Sequence, residues 1–214
     1  MSYKKDFLGF QKKYNETYPE ALRLRNYLPK DLSNKSVLDV GCGPGLDMEY
    51  MTSLSAKEVK GIDSSEELAK EARDYHNDLD IITCDFSHIP YEDNRFDIVW
   101  SKYAINCANS VKEPLSEIYR VCREGGTVLL QVTHPLRTLG LLKSKDYFNS
   151  GEIIEYPTLD DKKLIEPHHT ISEWINTIIE VGFSIETTEE IINKPKEKYT
   201  GVITPSAIIF ILKK

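Results

Sequence analysis

At 214 residues the chain is long enough to bury a sizeable core in one domain, without disulfide or metal staples. Its 40% apolar and 29% charged composition is that of an ordinary soluble globular protein, and no apolar run approaches the roughly 20 residues of a membrane span. A formal charge of −7 counts against nucleic acid as a partner, because phosphate backbones usually meet a basic patch.

The N-terminal MSYKKDFLGFQ has two lysines but no apolar stretch behind them, so it does not read as a secretory signal, and a cytoplasmic protein is expected. Next, Tyr3, Phe7, Phe10, Tyr14 and Tyr18 recur every three or four residues, the pattern of an aromatic stripe along a helix packed on a sheet. From residue 35 to 132, short β-branched or apolar runs alternate with amphipathic segments, a βαβ rhythm. The strands are expected at 36–40, 59–63, 80–84, 96–101 and 127–132, several of them apolar throughout, as in a parallel sheet buried on both faces. Helices are expected at 46–55, at 65–75 behind the capping run Ser64-Ser65-Glu66-Glu67, and at 111–122, closed by Gly125-Gly126. Such short connections make right-handed crossovers and an α/β, doubly wound sheet. Residues 135–168 lack periodicity and exceed ordinary loop length, which points to a lid or binding segment. A last helix at 171–181 ends at Gly182, and strands follow at 183–192 and 207–213. Between them, KPKEK at 194–198 reads as a solvated turn. The four cysteines, Cys42, Cys84, Cys107 and Cys122, form no CxxC pair and are expected as reduced packing thiols.

The informative stretch is VLDVGCGPGLD. Gly41, Gly43 and Gly45 stand where the first strand gives way to the first helix, where a backbone without Cβ atoms can turn sharply and admit a ligand. Dinucleotide-binding loops use GxGxxG; here the spacing is GxGxG, and Asp39 lies two residues ahead, which suits a ligand with an ammonium group better than a pyrophosphate. Asp63 closes the second strand, where an acid in nucleotide-binding α/β folds accepts from ribose hydroxyls, while Asp63-Ser64-Ser65 also reads as a plain helix cap. Asp85, with Phe86, could meet the amine and edge of an adenine. Three strand ends of one sheet thus converge on the crevice where such folds bind ligands.

VLDVGCGPG, the GIDSS turn, CDFSHIPYEDNRFDIVWS and LSEIYRVCREGGTVLL occur in order over about residues 35–133. Together they resemble the successive motifs of class I S-adenosylmethionine-dependent methyltransferases, particularly the small-molecule, ubiquinone/menaquinone-biosynthesis-like (type 11) group. HHTISEWINTIIEVGF followed by PSAIIFILKK resembles the end of many members. The resemblance implies a mostly parallel seven-stranded sheet with the last strand, 207–213, inserted antiparallel. It implies S-adenosylmethionine as cofactor, with Gly41, Cys42, Gly43 and Gly45 along its methionine part beside Asp39. Asp63, with Ser64, would hold the ribose, Asp85 and Phe86 would face the adenine, and Ser101 with Lys102 would flank the sulfonium end. The whole chain is then a single domain: a helical lid at 1–30, a cofactor core at 35–133, an acceptor-site cap at 134–170 and a closing helix and strands at 171–214.

Methyl transfer from a sulfonium is an in-line displacement of an already activated group, so alignment is the main task, and a histidine could serve as base. His134, directly after the fifth strand, is the first candidate for that role, or else bonds loop backbone before Pro135; His169 is the second. His168 is a candidate to bind substrate, as are Tyr14 and Tyr103 as pocket walls. The spacing of the histidines matches no metal motif, and no metal is expected. After the fourth strand, SKYAIN lacks the Asn/Asp-Pro-Pro-aromatic clamp of several macromolecular methyltransferases, and no Pro-Cys pair is present. A small molecule with an oxygen, nitrogen or carbon nucleophile is the expected partner, on a monomer or homodimer. Two alternatives stand beside this: a non-catalytic subunit that keeps the fold and activates a partner, and a nucleotide-dependent oxidoreductase, which the missing third glycine spacing and Asp85 disfavour.

Overall fold

The computed structural model describes residues 7–76, 78–157, 163–192, 198–199 and 202–214. Tyr3 and most of the 194–198 stretch lie outside them. The chain runs α1 (Phe7–Thr17), a 3₁₀ helix (Pro19–Tyr27), β1 (Ser36–Val40), α2 (Leu46–Ser53), β2 (Glu58–Asp63), α3 (Glu66–Tyr75) and β3 (Asp80–Thr83). It continues through β4 (Phe96–Lys102), a 3₁₀ turn (Ile105–Cys107), α4 (Lys112–Val121), β5 (Cys122–Thr133), α5 (Pro135–Thr138), β6 (Ile153–Pro157), β7 (Lys163–Pro167) and α6 (Ile171–Val181). Last come β8 (Ser184–Ile191), the short pair β9 (Lys198–Tyr199) and β10 (Val202–Ile203), and β11 (Ala207–Lys213).

Seven strands form one sheet in the order β3-β2-β1-β4-β5-β11-β8. β1 pairs in parallel with β2 and β4, and β4 with β5, whereas β11 runs antiparallel to both β5 and β8. The resemblance had implied this inserted strand. Every residue of β1 is buried, as is β11 up to Leu212, because helices cover both faces. On one face α4 and α6 bury Leu115, Ile118, Trp174 and Ile178 against Val99, Val128 and Phe210. On the other, Leu24, Leu28 and Leu32 join Met51, Trp100 and Ile209. Each such side chain contributes about 1.5–3 kcal/mol when fully buried.

Local chemistry sets the boundaries. The Ser65 hydroxyl accepts from the Leu68 N–H at 3.2 Å and starts α3, and the Thr170 hydroxyl accepts from the Glu173 N–H at 3.1 Å and starts α6. Gly182, at φ +116°, closes α6.

Three expectations need correction. Gly125-Gly126 does not end α4: the helix stops at Val121, and the glycines lie inside β5, where the β4–β5 register shifts between Phe96 and Ile98. A Cβ at Gly126 would lie 2.6 Å from Cys122 Sγ and 2.7 Å from the Arg123 carbonyl, so glycine is what this tight excursion allows. The aromatic helix docks on α3 rather than on the sheet: the Leu8 N–H donates to Glu71 and Lys12 Nζ to the Tyr75 hydroxyl. Its rings stack on one another instead, Phe10 on Tyr14 at 6.2 Å and Tyr14 on Tyr18 at 5.0 Å, and Leu8 is the residue of α1 that is buried. Finally, the aperiodic stretch after β5 holds a hairpin, β6 pairing antiparallel with β7 from Ile153↔Pro167 to Pro157↔Lys163.

Candidate active site

The bend after β1 is built from backbone. The N–H groups of Gly41 and Cys42 both donate to the Ile62 carbonyl, and the Gly43 N–H donates to Asp63 Oδ2 at 2.8 Å. Gly41, Gly43 and Gly45 have φ values of +78°, +52° and +85°, the left-handed region in which side chains are strained. Gly41 is packed shut, since a Cβ there would lie 2.1 Å from Ala104 Cβ. Gly43 is buried but leaves room at its Cα: a Cβ would meet Phe7 Cε1 alone, at 4.0 Å. The Cys42 thiol turns away into a cluster with Met48, Ala69, Ala72 and Ile81, so it is the backbone of Cys42 that lines the bend.

Carboxylates crowd behind it. Asp63 spans two elements, its second oxygen accepting from the Ser65 N–H at 2.8 Å, while Ser64 is exposed. Burial raises the Asp63 carboxyl despite these backbone donors. Asp39 is 2% exposed; burial and then neighbouring Asp47 push it well above the usual carboxylate range, against the pull of Lys102. Burial also acts on Asp47, but Lys102 and Arg25 outweigh it and hold that group low. Lys102 Nζ lies 2.5 Å from Asp47 and Arg25 Nη2 2.7 Å, with the guanidinium over the Tyr50 ring. Asp85 is exposed, and its Oδ1 accepts from both the N–H and the hydroxyl of Ser87; Phe86 packs half-buried against the core.

The segment after β4 links this bend to the cap. Ser101 is fully buried, donating to the Val40 carbonyl at 3.0 Å. Tyr103 adopts φ +55°, rare for a bulky residue, and packs against the cluster of Leu24, Trp100 and Ile209. Ala104 then seats on Gly41, and the Ile105–Cys107 turn carries Asn106 beneath the cap.

All three candidate histidines are buried, and each is engaged at both ring nitrogens. His134 Nδ1 accepts from the Leu136 N–H, starting α5, and Nε2 lies 2.7 Å from Glu190. His168 meets the Thr138 hydroxyl and the Tyr147 carbonyl; His169 meets Glu173 and the Ala108 carbonyl. Burial lowers the affinity of His134 for a proton, with Glu190 opposing. Tyr14 stands half-buried on α1, remote in sequence from the cap.

The Methyltransferase domain family profile matches residues 38–130, from mid-β1 to near the end of β5. Those residues form a methyltransferase domain, and the chain is similar to S-adenosylmethionine-dependent methyltransferases. A malonyl-[acyl-carrier protein] O-methyltransferase of Salmonella typhimurium is 38% identical over 44% of this chain and 37% of its own length. A 24-methylenesterol C-methyltransferase of Arabidopsis thaliana is 28% identical over 86% of the chain and 52% of its own. The chain thus spans little more than a third of the malonyl-[acyl-carrier protein] relatives it matches. A Listeria monocytogenes methyltransferase structure shares the fold at TM-score 0.76, with 24% identity over 91% of this chain and 97% of that one.

S-adenosylmethionine is the methyltransferase cofactor, and the residues fit it. The room at the Gly43 Cα admits a ligand against peptide units, and Asp39, raised by burial among carboxylates, gains from a cationic neighbour. Sequence reasoning missed Arg25, Asp47 and Glu166. Asp47 is the second residue of α2 and reads as an ordinary first-turn acid; Arg25 sits in a polar 3₁₀ helix without helical periodicity.

Proposed function

We propose that this protein transfers a methyl group from S-adenosylmethionine to an oxygen, nitrogen or carbon nucleophile of a small molecule, in the cytosol. The observation that carries this is the bend at Gly43, which leaves room at its Cα beneath Phe7 and is tied at its N–H to the strand-end acid Asp63. When bound, the cofactor supplies a methyl on a positively charged sulfur, so the chain's task is alignment and exclusion of water, worth about 7–11 kcal/mol in well-oriented systems.

The peptide units of Gly41, Cys42 and Gly43 receive the methionine part beside Asp39. Asp63 takes the ribose and Asp85 with Phe86 the adenine. Lys102 offsets the buried charge of Asp47 and so sets the field around Asp39. α1 serves as the lid, with Phe7 over Gly43, and residues 134–170 as the acceptor cap. His134 ties that cap to Glu190 of β8 and His169 ties it to the Ala108 carbonyl, while His168 joins α5 and Tyr147 within it. Four free cysteines accord with a reducing compartment.

Calorimetric titration with S-adenosylmethionine, S-adenosylhomocysteine and NAD tests the cofactor reading. Binding of NAD in preference to the sulfonium would overturn it. A labelled-methyl screen over metabolites then separates an enzyme from a non-catalytic subunit.

A further inference from the structure

Arg120, near the end of α4, has all five of its guanidinium N–H donors engaged, each on a different acceptor atom. Nε and Nη2 donate to the two oxygens of Glu117 at 2.7 and 2.8 Å. Nη1 donates to the Tyr91 carbonyl at 2.7 Å and to Asp93 at 2.9 Å, and Nη2 also to the Ile89 carbonyl at 2.8 Å. Glu117 completes the clamp, since its Oε2 accepts from the Ile89 N–H at 2.8 Å. The peptide groups on both sides of Ile89 are therefore held from one helix turn, while its side chain, 2% exposed, is sunk in the core. The Arg120 hydrogen bonds, and after them the Ile89 N–H, hold the Glu117 carboxyl below its ordinary value against burial, so it meets the guanidinium as an anion.

A partly exposed ion pair adds little stability by itself; what the bonds to Ile89 and Tyr91 do is fix the path of a loop. That loop starts at the end of β3. The Cys84 N–H donates to the Asp63 carbonyl, and the Asn94 and Arg95 N–H groups donate to the Arg120 and Val121 carbonyls. Between these ties, Asp85 turns the chain by accepting at Oδ1 from Ser87, and its Oδ2 takes no hydrogen bond among the described residues. Asp85 and Phe86 thus sit between a tie to the Asp63 backbone and a clamp at Ile89, three residues on.

We propose that Arg120, through Glu117 and the Ile89 peptides, is a positioning residue that sets the preference of the cofactor site for adenine. This rests on the methyltransferase reading and on its placing of adenine at Asp85 and Phe86. A carboxylate favours an amino purine over an oxo purine only when its oxygen is held in line with the exocyclic N–H, because hydrogen bonds weaken steeply away from that line. The Arg120 clamp supplies that hold from outside the pocket.

The test uses the full chain and a matched pair of ligands, S-adenosylhomocysteine and S-inosylhomocysteine, which differ in the amino or oxo group of the purine. Calorimetric titration of the wild type is expected to favour the adenosyl ligand about tenfold or more, the worth of a hydrogen bond to a charged group. Arg120→Met is expected to bring the two affinities within about threefold by weakening the adenosyl ligand, and Arg120→Lys, with three donors in place of five, to fall between. Lost stability alone would lower Tm and leave that ratio at its wild-type value, so an unchanged ratio in folded Arg120→Met overturns the proposal. If Arg120→Met does not fold, Arg120→Lys decides, and a wild-type ratio there refutes the assignment. A wild type that binds both ligands equally removes adenine from Asp85, and the proposal with it. A wild type that binds neither sinks the methyltransferase reading instead; amide hydrogen exchange then tests the clamp, and exchange over 85–93 as slow in the Arg120 variant as in the wild type refutes the positioning role.

Discussion

Alanine at two neighbouring glycines separates packing from binding. At Gly41 the new methyl carbon would lie 2.1 Å from Ala104 Cβ at φ +78°; at Gly43 it would meet Phe7 alone, at 4.0 Å and φ +52°. Both variants bear the left-handed penalty of about 1–2 kcal/mol. Gly41→Ala adds an overpacking cost of about 1–3 kcal/mol, giving about 2–5 in all. At this chain length each kcal/mol moves Tm by about 2–4 °C, so Gly41→Ala should lower it by roughly 10 °C and Gly43→Ala by only a few degrees. Binding should rank them the other way: Gly43→Ala fills the room at that Cα and should abolish S-adenosylhomocysteine binding while the fold stays intact. Differential scanning fluorimetry and calorimetric titration on both proteins give the answer. Equal Tm losses, or a Gly43→Ala protein that binds with wild-type affinity, would refute the reasoning.

Three further outcomes follow from the electrostatics. The folded state holds the Asp39 carboxyl well above its unfolded value, so its contribution to stability is full in acid and fades as pH rises through the folded value. A cationic cofactor reverses that preference: affinity for S-adenosylmethionine should rise with pH, with proton release, and Asp39→Asn should flatten the dependence in calorimetry run in buffers of different ionisation heat. Lys102→Met leaves buried Asp47 with Arg25 alone; urea unfolding should show a loss of up to about 3 kcal/mol, the low end for removing one partner of a buried pair. His134 has its proton affinity lowered by burial, so its share of stability is present above the ordinary value near 6.5 and is lost as pH falls through the lower folded value. Acid unfolding should therefore be less steep in His134→Ala, which also loses the α5 cap, worth about 1 kcal/mol.

The sheet was readable because its physics is local. Strands buried on both faces are mostly apolar, as in SVLDV and AIIFILK, and a helix start needs an oxygen such as that of Ser65. Gly125-Gly126 misled because the pair marks a sharp backbone excursion, and nothing local says whether that falls after a helix or within a strand. The β6–β7 hairpin escaped notice because strands of five residues, partly exposed, carry little alternation. At the site, glycines and strand-end acids announce themselves through spacing. Arg25, Asp47 and Glu166 do not, since each is defined by partners distant in sequence: Arg25 meets Asp47, and Glu166 meets Asn106 across 60 residues. The histidines invited a chemical role by residue type alone. In the ligand-free fold each ring nitrogen already has a hydrogen-bond partner.

The placing of β11 between β5 and β8 has a consequence for biogenesis. During synthesis β8 leaves the ribosome with no sheet neighbour, because the strand that bridges it to β5 comes after it. Until Ile209, Phe210 and Leu212 arrive, both hydrophobic layers stand open on one flank, so a nascent chain stalled before position 207 should be a chaperone client and a protease substrate.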